Sequence, residues 1–151
     1  FAVHGSFDLT LCCTGDTNVD AHHTVEDAGI CLGKAIGEAL GDKAGIARYG
    51  FVRIPMDEAL VEAVVDVSGR PFLHFNLPVS APVLGAYETE LTEEFFRAVV
   101  MNAGVTLHIN LVHGKNSHHI IESAFKAFAH ALAQAVRPRE GGALSSKGSL
   151  A

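Results

Sequence analysis

The pattern His-His-x-x-Glu occurs twice, as His22-His23-Thr24-Val25-Glu26 and as His118-His119-Ile120-Ile121-Glu122, the second copy 96 residues downstream (from 22 to 118). The same register also aligns Ala28 with Ala124, Ala35 with Ala131 and Ala39 with Ala135. The segments in front correspond as well. Gly5 and Gly15 are ten residues apart, as are Gly104 and Gly114, and each pair brackets an alternating, strand-like run. A break of three residues separates strand register from helix register in the first copy. The pattern reads as an internal duplication of a strand-then-helix unit. It constrains the chain to two similar halves, about residues 1–77 and 78–151, within one domain. The fold class that follows is α+β, with helices packed on sheet; no Rossmann-type glycine fingerprint argues for a doubly wound alternative.

Element by element, Ser6–Cys13 reads as a strand and Asp20–Leu40 as a helix whose buried face draws on Ala28, Ile30, Leu32, Ala35, Ile36 and Leu40. Tyr49–Pro55, Ala59–Val67 and Phe72–Leu77 read as strands, and Val79–Gly85 as a proline-containing connection. Glu88–Asn102 has Leu91, Phe95, Ala98 and Val99 on one helical face, with Thr89 as the expected cap and Glu93 and Glu94 in the first turn. Val105–Val112 is the second-copy strand. The following helix runs to about Val136, capped by Asn116 or Ser117. Arg137–Ala151 is a polar tail expected to be loose on its own.

The repeated motif has a chemical reading. Helical residues at i and i+4 share a face and can grip one metal ion, whereas i and i+1 diverge by about 100° and cannot. His22 with Glu26 therefore serves one ion while His23 reaches towards another. His118 with Glu122, and His119, do the same. Two such helices, from related halves or neighbouring subunits, could hold two metals between them. Imidazole and carboxylate donors suit manganese, iron, nickel or zinc, and six-coordination favours the first three. His118, Glu122 and Lys126 fall at i, i+4 and i+8 and share one stripe.

Composition narrows the partners. A formal charge of −6 argues against nucleic acid and anionic membrane surfaces. No apolar run reaches the roughly 18 residues of a membrane span. Three cysteines, Cys12, Cys13 and Cys31, give no disulfide framework and fit a reducing compartment.

Beyond this chemistry, the chain closely resembles the imidazoleglycerol-phosphate dehydratase family. The resemblance is carried by His22–Gly33 and Asn116–Lys126, and by Arg48-Tyr49-Gly50, Pro55-Met56-Asp57-Glu58-Ala59-Leu60, Ser68-Gly69-Arg70-Pro71, Ala103–Ile109 and Ser145-Ser146-Lys147-Gly148. These motifs stand in the family's order over essentially the whole chain. The resemblance implies two similar α+β halves and a cytoplasmic lyase of histidine biosynthesis. The reaction it implies removes water from imidazole glycerol phosphate to give imidazole acetol phosphate, with two Mn2+ ions per active site. It implies a homo-oligomer with active sites at subunit interfaces, and no nucleic-acid or membrane partner. Family members carry a further segment before the position of Phe1, with a Phe-Asp-His-Met-Leu stretch supplying one ligand histidine and a glutamate that contacts substrate. The present chain is expected to lack that segment, and His4 does not take over the ligand role.

Residue by residue, the resemblance makes His22, His23, Glu26, His108, His118, His119 and Glu122 metal ligands, with Glu122 also the candidate for proton transfer. His108 aligns with Leu9 of the first copy, which therefore has no strand ligand of its own. Arg48, Arg70, Lys126, Ser145, Ser146 and Lys147 are implied to bind the substrate phosphate, for which guanidinium forks and hydroxyls are suited. His74, His113 and His130 are read as non-functional, and Asp57 and Glu58 as supporting carboxylates. Two rival readings keep the same ligands: a metal hydrolase, and a metal-binding subunit without turnover.

Overall fold

In the computed structural model, which describes residues 1–150, the chain forms a mixed α+β arrangement with helices packed on one face of a sheet. The elements in order are α1 (Ala2–Gly5), α2 (His22–Leu40), β1 (Tyr49–Met56), β2 (Ala59–Asp66), β3 (Phe72–Asn76), β4 (Val83–Leu84), β5 (Tyr87–Glu88), α3 (Leu91–Ala103), β6 (Thr106–His113) and α4 (Ser117–Ala135). The main sheet has the order β1-β2-β6-β3. β1 and β2 form an antiparallel hairpin, β2 and β6 are antiparallel, and β6 runs parallel to β3 after the crossover through α3. β4 and β5 pair as a separate two-stranded ribbon.

The inner face of the sheet follows from alternation. Ala59, Val61, Ala63 and Val65 on β2, with Leu107 and Ile109 on β6, are fully buried. They meet Ile120, Ala124, Ala127, Phe128 and Ala131 of α4, and Phe96 and Val99 of α3. α4 crosses β1 and β2, α3 lies over β3, α2 packs on α3, and α1 packs on α4. The outer face is open. Tyr49 and Phe51 of β1 and Phe72 of β3 are each more than half exposed there. His74 and His108 stand on that face too.

Close approach rests on small residues. An alanine Cβ at Gly50 would lie 1.8 Å from the carbonyl oxygen of Ala131, so α4 sits against bare β1 backbone. Ser123, buried in the same interface, donates its hydroxyl to the Ile54 carbonyl at 2.6 Å. α2 meets α3 in the same manner through Gly29, Gly33 and Gly37; a Cβ at Gly33 would lie 2.5 Å from the Val99 carbonyl oxygen.

The structure departs from the sequence reading in four places. Ser6–Cys13 is not a strand: residues 7–16 take no regular structure and run mostly exposed. A strand needs a hydrogen-bonding neighbour, and neither edge of the main sheet, β1 or β3, pairs with this segment. α2 buries Gly29, Leu32 and Gly33, whereas Ala35 is exposed, because a glycine seam instead of an alanine stripe faces α3. Thr89 does not cap α3. The N-cap is Glu90 without a side-chain bond, and the Thr89 hydroxyl donates to the carbonyls of Ala81 and Pro82. The tail has no helix or strand but is tethered: Ala47 donates to the Arg137 carbonyl, Arg139 donates to the Gly45 carbonyl, and Leu150 is buried. Between Asn116 and Ser117, Asn116 is the cap. Its side chain accepts from the backbone N–H of His118 and His119, while the Ser117 hydroxyl accepts from Ser80 and Ala81.

Gly50→Ala is expected to lower stability by about 1–3 kcal/mol, the range for overpacking a close interface. Thermal unfolding followed by circular dichroism measures it, and an unchanged midpoint would contradict the seating described.

Candidate functional site

The capped start of α4 carries the densest set of candidate groups. His118 Nε2 lies 3.1 Å from Glu122 Oε2, and Lys126 Nζ lies 2.6 Å from Glu122 Oε1. The i, i+4, i+8 stripe is thus a connected row of imidazole, carboxylate and ammonium. The Lys126 ammonium, with a smaller contribution from His118, holds the Glu122 carboxyl below its usual range. Lys126 Nζ also reaches Met56 Sδ at 3.5 Å, at the far end of β1.

His119 diverges from this row, as an adjacent residue must. Its Nδ1 lies 2.7 Å from Glu58 Oε2, and its Nε2 lies 3.8 Å from Asp57 Oδ2. Glu58 sits in the β1–β2 turn, where Asp57 takes a left-handed φ of 49°. The His119 bond and the backbone N–H groups of Asn116 and Lys115 push the Glu58 carboxyl down to about 2. Glu58 in turn raises the His119 imidazole above its ordinary value.

The first copy repeats the helical geometry. The His22 and His23 rings are 6.1 Å apart at 79°, and the His118 and His119 rings 6.3 Å apart at 77°. The two helix starts flank Tyr87 of β5. One cleft beside that ring is lined by Cys13, Thr24, Val25 and Ala28 of the first copy with Phe95 and Phe125, and another by Leu84, His118, Ile121 and Glu122. Tyr87 donates to or accepts from the Thr92 hydroxyl at 2.7 Å, and burial raises its phenol above the usual range. No spacing rule singles out Tyr87 in the sequence; it stands here because the short ribbon carries it.

His108 is not brought to either histidine pair. It is exposed on the outer sheet face in register with His74, ring centroids 5.4 Å apart, and the Phe72 ring, on the same strand as His74, lies 5.6 Å from the His108 ring. Among the described residues, no three His, Cys, Asp or Glu side chains converge on a point where a metal ion could sit. The donor chemistry nevertheless fits a divalent ion in pairs. His118 and Glu122 bring one nitrogen and one oxygen donor together, a combination suited to a borderline cation.

The cations divide into two groups. Arg48 donates Nε and Nη2 to the two oxygens of Asp66 at 2.7 and 3.1 Å, and Nη1 to the Leu144 carbonyl at 2.7 Å. Asp66 therefore raises the Arg48 guanidinium further. Arg70 lies 3.9 Å from the same carboxylate and is largely exposed. The Leu144 contact carries the tail to this point, so Ser145 follows directly, with its hydroxyl accepting from the Lys147 backbone N–H at 3.2 Å. Ser146 and Lys147 are exposed. Lys126 belongs to the other group: Tyr49 and Met56 bound β1, whose seven steps span about 23 Å. Arg48 itself is held at a φ of 74°, a region costly for a residue with a Cβ. Sequence reading missed Asp66 as the shared partner, although its position four residues before Arg70 on an alternating strand was a usable signal.

Comparisons with known proteins agree on one family. The model of the family described as imidazoleglycerol-phosphate dehydratase matches residues 1–132. A protein of that name from Desulfotalea psychrophila is 56 % identical over 151 residues, covering 99 % of this chain and 76 % of its own length. One from Alkaliphilus metalliredigens is 57 % identical over 149 residues, covering 97 % of this chain and 76 % of its own length. The crystal structure of imidazoleglycerol-phosphate dehydratase from Staphylococcus aureus superposes with a TM-score of 0.85 at 47 % identity, over 91 % of this chain and 77 % of that one.

Two outcomes follow from the geometry. Lys126→Met should raise the Glu122 carboxyl pKa towards its ordinary value, read by carbonyl-carbon NMR titration. A depressed folded-state carboxyl adds stability above its unfolded pKa that is lost as pH falls through the folded value; the variant should therefore lose less stability between pH 5 and pH 3 than the parent. Arg48→Ala should free the tail, so that limited proteolysis cuts beyond Arg137 faster than in the parent; equal rates would remove Arg48 as the tether.

Proposed function

The chain belongs to the imidazoleglycerol-phosphate dehydratase family, and on that footing we propose that it removes water from imidazole glycerol phosphate to give imidazole acetol phosphate, a step of histidine biosynthesis. The observation that carries the reading is the connected row His118–Glu122–Lys126 at the start of α4. It combines a nitrogen–oxygen donor pair with a cation for an anionic substrate.

In this reading His22, His23, Glu26, His108, His118, His119 and Glu122 hold two Mn2+ ions per active site. When bound, the metals supply charge stabilisation for the substrate's imidazole and its departing hydroxyl. The protein's own groups do the rest. Glu122 is ionised at neutral pH, so its carboxylate is available as a ligand or to take a proton. Arg48, Arg70, Lys126, Ser145, Ser146 and Lys147 clamp the phosphate, which fixes the imidazole end relative to the histidines. Three of Arg48's five N–H donors are engaged, leaving one on each terminal nitrogen for a phosphate oxygen.

One chain offers donor pairs, not a closed set, and its two cation groups lie at opposite ends of β1. Both features favour a homo-oligomer whose active sites form where copies meet. The open sheet face with Tyr49, Phe51, Phe72 and His108 is a surface on which a second copy could bury apolar area. The same reading treats the chain as one domain of two related halves near 1–77 and 78–151, sharing one sheet because β1, β2 and β3 precede that boundary and β6 follows it. It also treats the protein as cytoplasmic. Among the described residues no helix is long and apolar enough to cross a membrane, and the three cysteines are unpaired.

Turnover of imidazole glycerol phosphate with added Mn2+, alongside metal content and native mass, tests the whole reading. A metal-loaded assembly that produces the ketone supports it; a metal-free monomer without turnover contradicts it. Within an active preparation, Glu122→Gln should lower kcat by about 10²–10⁴. Arg70→Ala should raise KM by about 10- to 100-fold, the effect of losing a charge-assisted hydrogen bond.

A further inference from the structure

Glu58 binds through every oxygen it has: its carboxylate holds the start of α4 and the residues leading into it, and its backbone carbonyl holds the end of β6. Oε2 receives His119 Nδ1 at 2.7 Å, and Oε1 receives the backbone N–H groups of Asn116 at 2.8 Å and Lys115 at 3.1 Å. Its backbone carbonyl receives His113 Nδ1 at 2.9 Å. The carboxylate is thus aimed before any ligand arrives: the hairpin turn fixes one end, and the approach to the helix fixes the other. His119 is also the better enclosed of its pair, 23 % exposed against 65 % for His118.

We infer that Glu58 is a positioning residue, which takes the Nδ1 proton of His119 as a hydrogen bond and so leaves Nε2 as the ring's free electron-pair donor. Which imidazole nitrogen is available to a metal is set by the bond the other one makes, and a carboxylate on the far nitrogen both orients the ring and strengthens it as a donor. The metal-binding consequence rests on the reading proposed above; the tautomer does not. The copies differ in this respect. No side chain among the described residues hydrogen-bonds the ring of His23, the counterpart of His119, whose neighbour His22 is contacted by Asp20 only through its backbone N–H. The pre-set half of the site is therefore the α4 half. Asp57 is the other nearby carboxylate, but at 3.8 Å from Nε2 it makes no hydrogen bond and serves as a control.

The test is long-range proton–nitrogen NMR of the His119 ring in the metal-free full chain, at a pH where the ring is neutral. The parent should show a protonated Nδ1 and a bare Nε2. Glu58→Ala should move the proton to Nε2, the form imidazole prefers in water, while Asp57→Ala keeps the parent pattern. A parent ring protonated on Nε2, or a Glu58→Ala ring unchanged from the parent, overturns the inference; the parent spectrum decides even if the variant does not fold. Mn2+ titration then separates this inference from the reading beneath it. Parent binding that weakens about 10- to 100-fold in Glu58→Ala, the usual effect of losing such a partner, supports both. Equal binding in parent and variant overturns the positioning role. A parent that binds no Mn2+ removes the metal reading, and the tautomer pattern still decides what Glu58 does.

Discussion

The seating of α4 on the β1–β2 hairpin is the contact on which the candidate site depends. Three bonds or close approaches fix it along its length. Ala131 rests on the bare backbone at Gly50, Ser123 reaches the Ile54 carbonyl, and Glu58 at the turn clasps the helix's first residues. Each involves polar or backbone atoms, so the helix is held in axial position and in rotation, which apolar packing alone specifies less sharply. His118, His119, Glu122 and Lys126 inherit their directions from that placement. The buried face of Ile120, Ala124, Ala127 and Phe128 supplies most of the driving force, and the polar contacts decide where it stops.

Asp66 plays the corresponding role at the opposite end of β1. One carboxylate binds Arg48 with two hydrogen bonds, stands near Arg70, and through Arg48 draws in the tail at Leu144. A strained backbone at Arg48 persists because its side chain, its amide and its carbonyl are all committed: the amide to Ala135 and the carbonyl to Val67. Positive charge is thereby concentrated at a sheet end without a core ion pair, since all three side chains keep some solvent contact.

Much of this was readable in the sequence because its signals were local. The i, i+4 spacing on α4 predicts the His118–Glu122 contact, and i, i+1 predicts the divergence of His119. The strand readings match β1, β2 and β6 nearly to the residue. The misreadings share a cause: they concern what each element packs against. Ser6–Cys13 has the alternation of a strand but no neighbouring strand to pair with. Ala35 lies at a helical position open to burial, yet the seam that faces α3 is made of glycines, which carry no hydrophobicity to read. Asp66 looked like an ordinary acid at a strand end, and Glu58 read as a supporting carboxylate without a partner to name; the partners lie 18 and 61 residues away in the chain. Tyr87 could not be ranked because its importance comes only from the two helix starts on either side of it.

The glycine seam between α2 and α3 has one further consequence. Side-chain packing lets two helices settle over a range of separations, since rotamers adjust. At Gly29 and Gly33 the Phe95 and Val99 carbonyl oxygens stand within 2.9 and 2.5 Å of where a Cβ would be, and such backbone contacts have no rotamer to adjust. The gap is a fixed dimension, like the thickness of a gasket with no compressible layer. His22, His23 and Glu26 stand at one end of that spacer, so the backbone approach of α2 to α3 takes part in setting their distance from the rest of the molecule. Change elsewhere on α2 can be absorbed, but one added methyl group in the seam would be transmitted as displacement to the histidines.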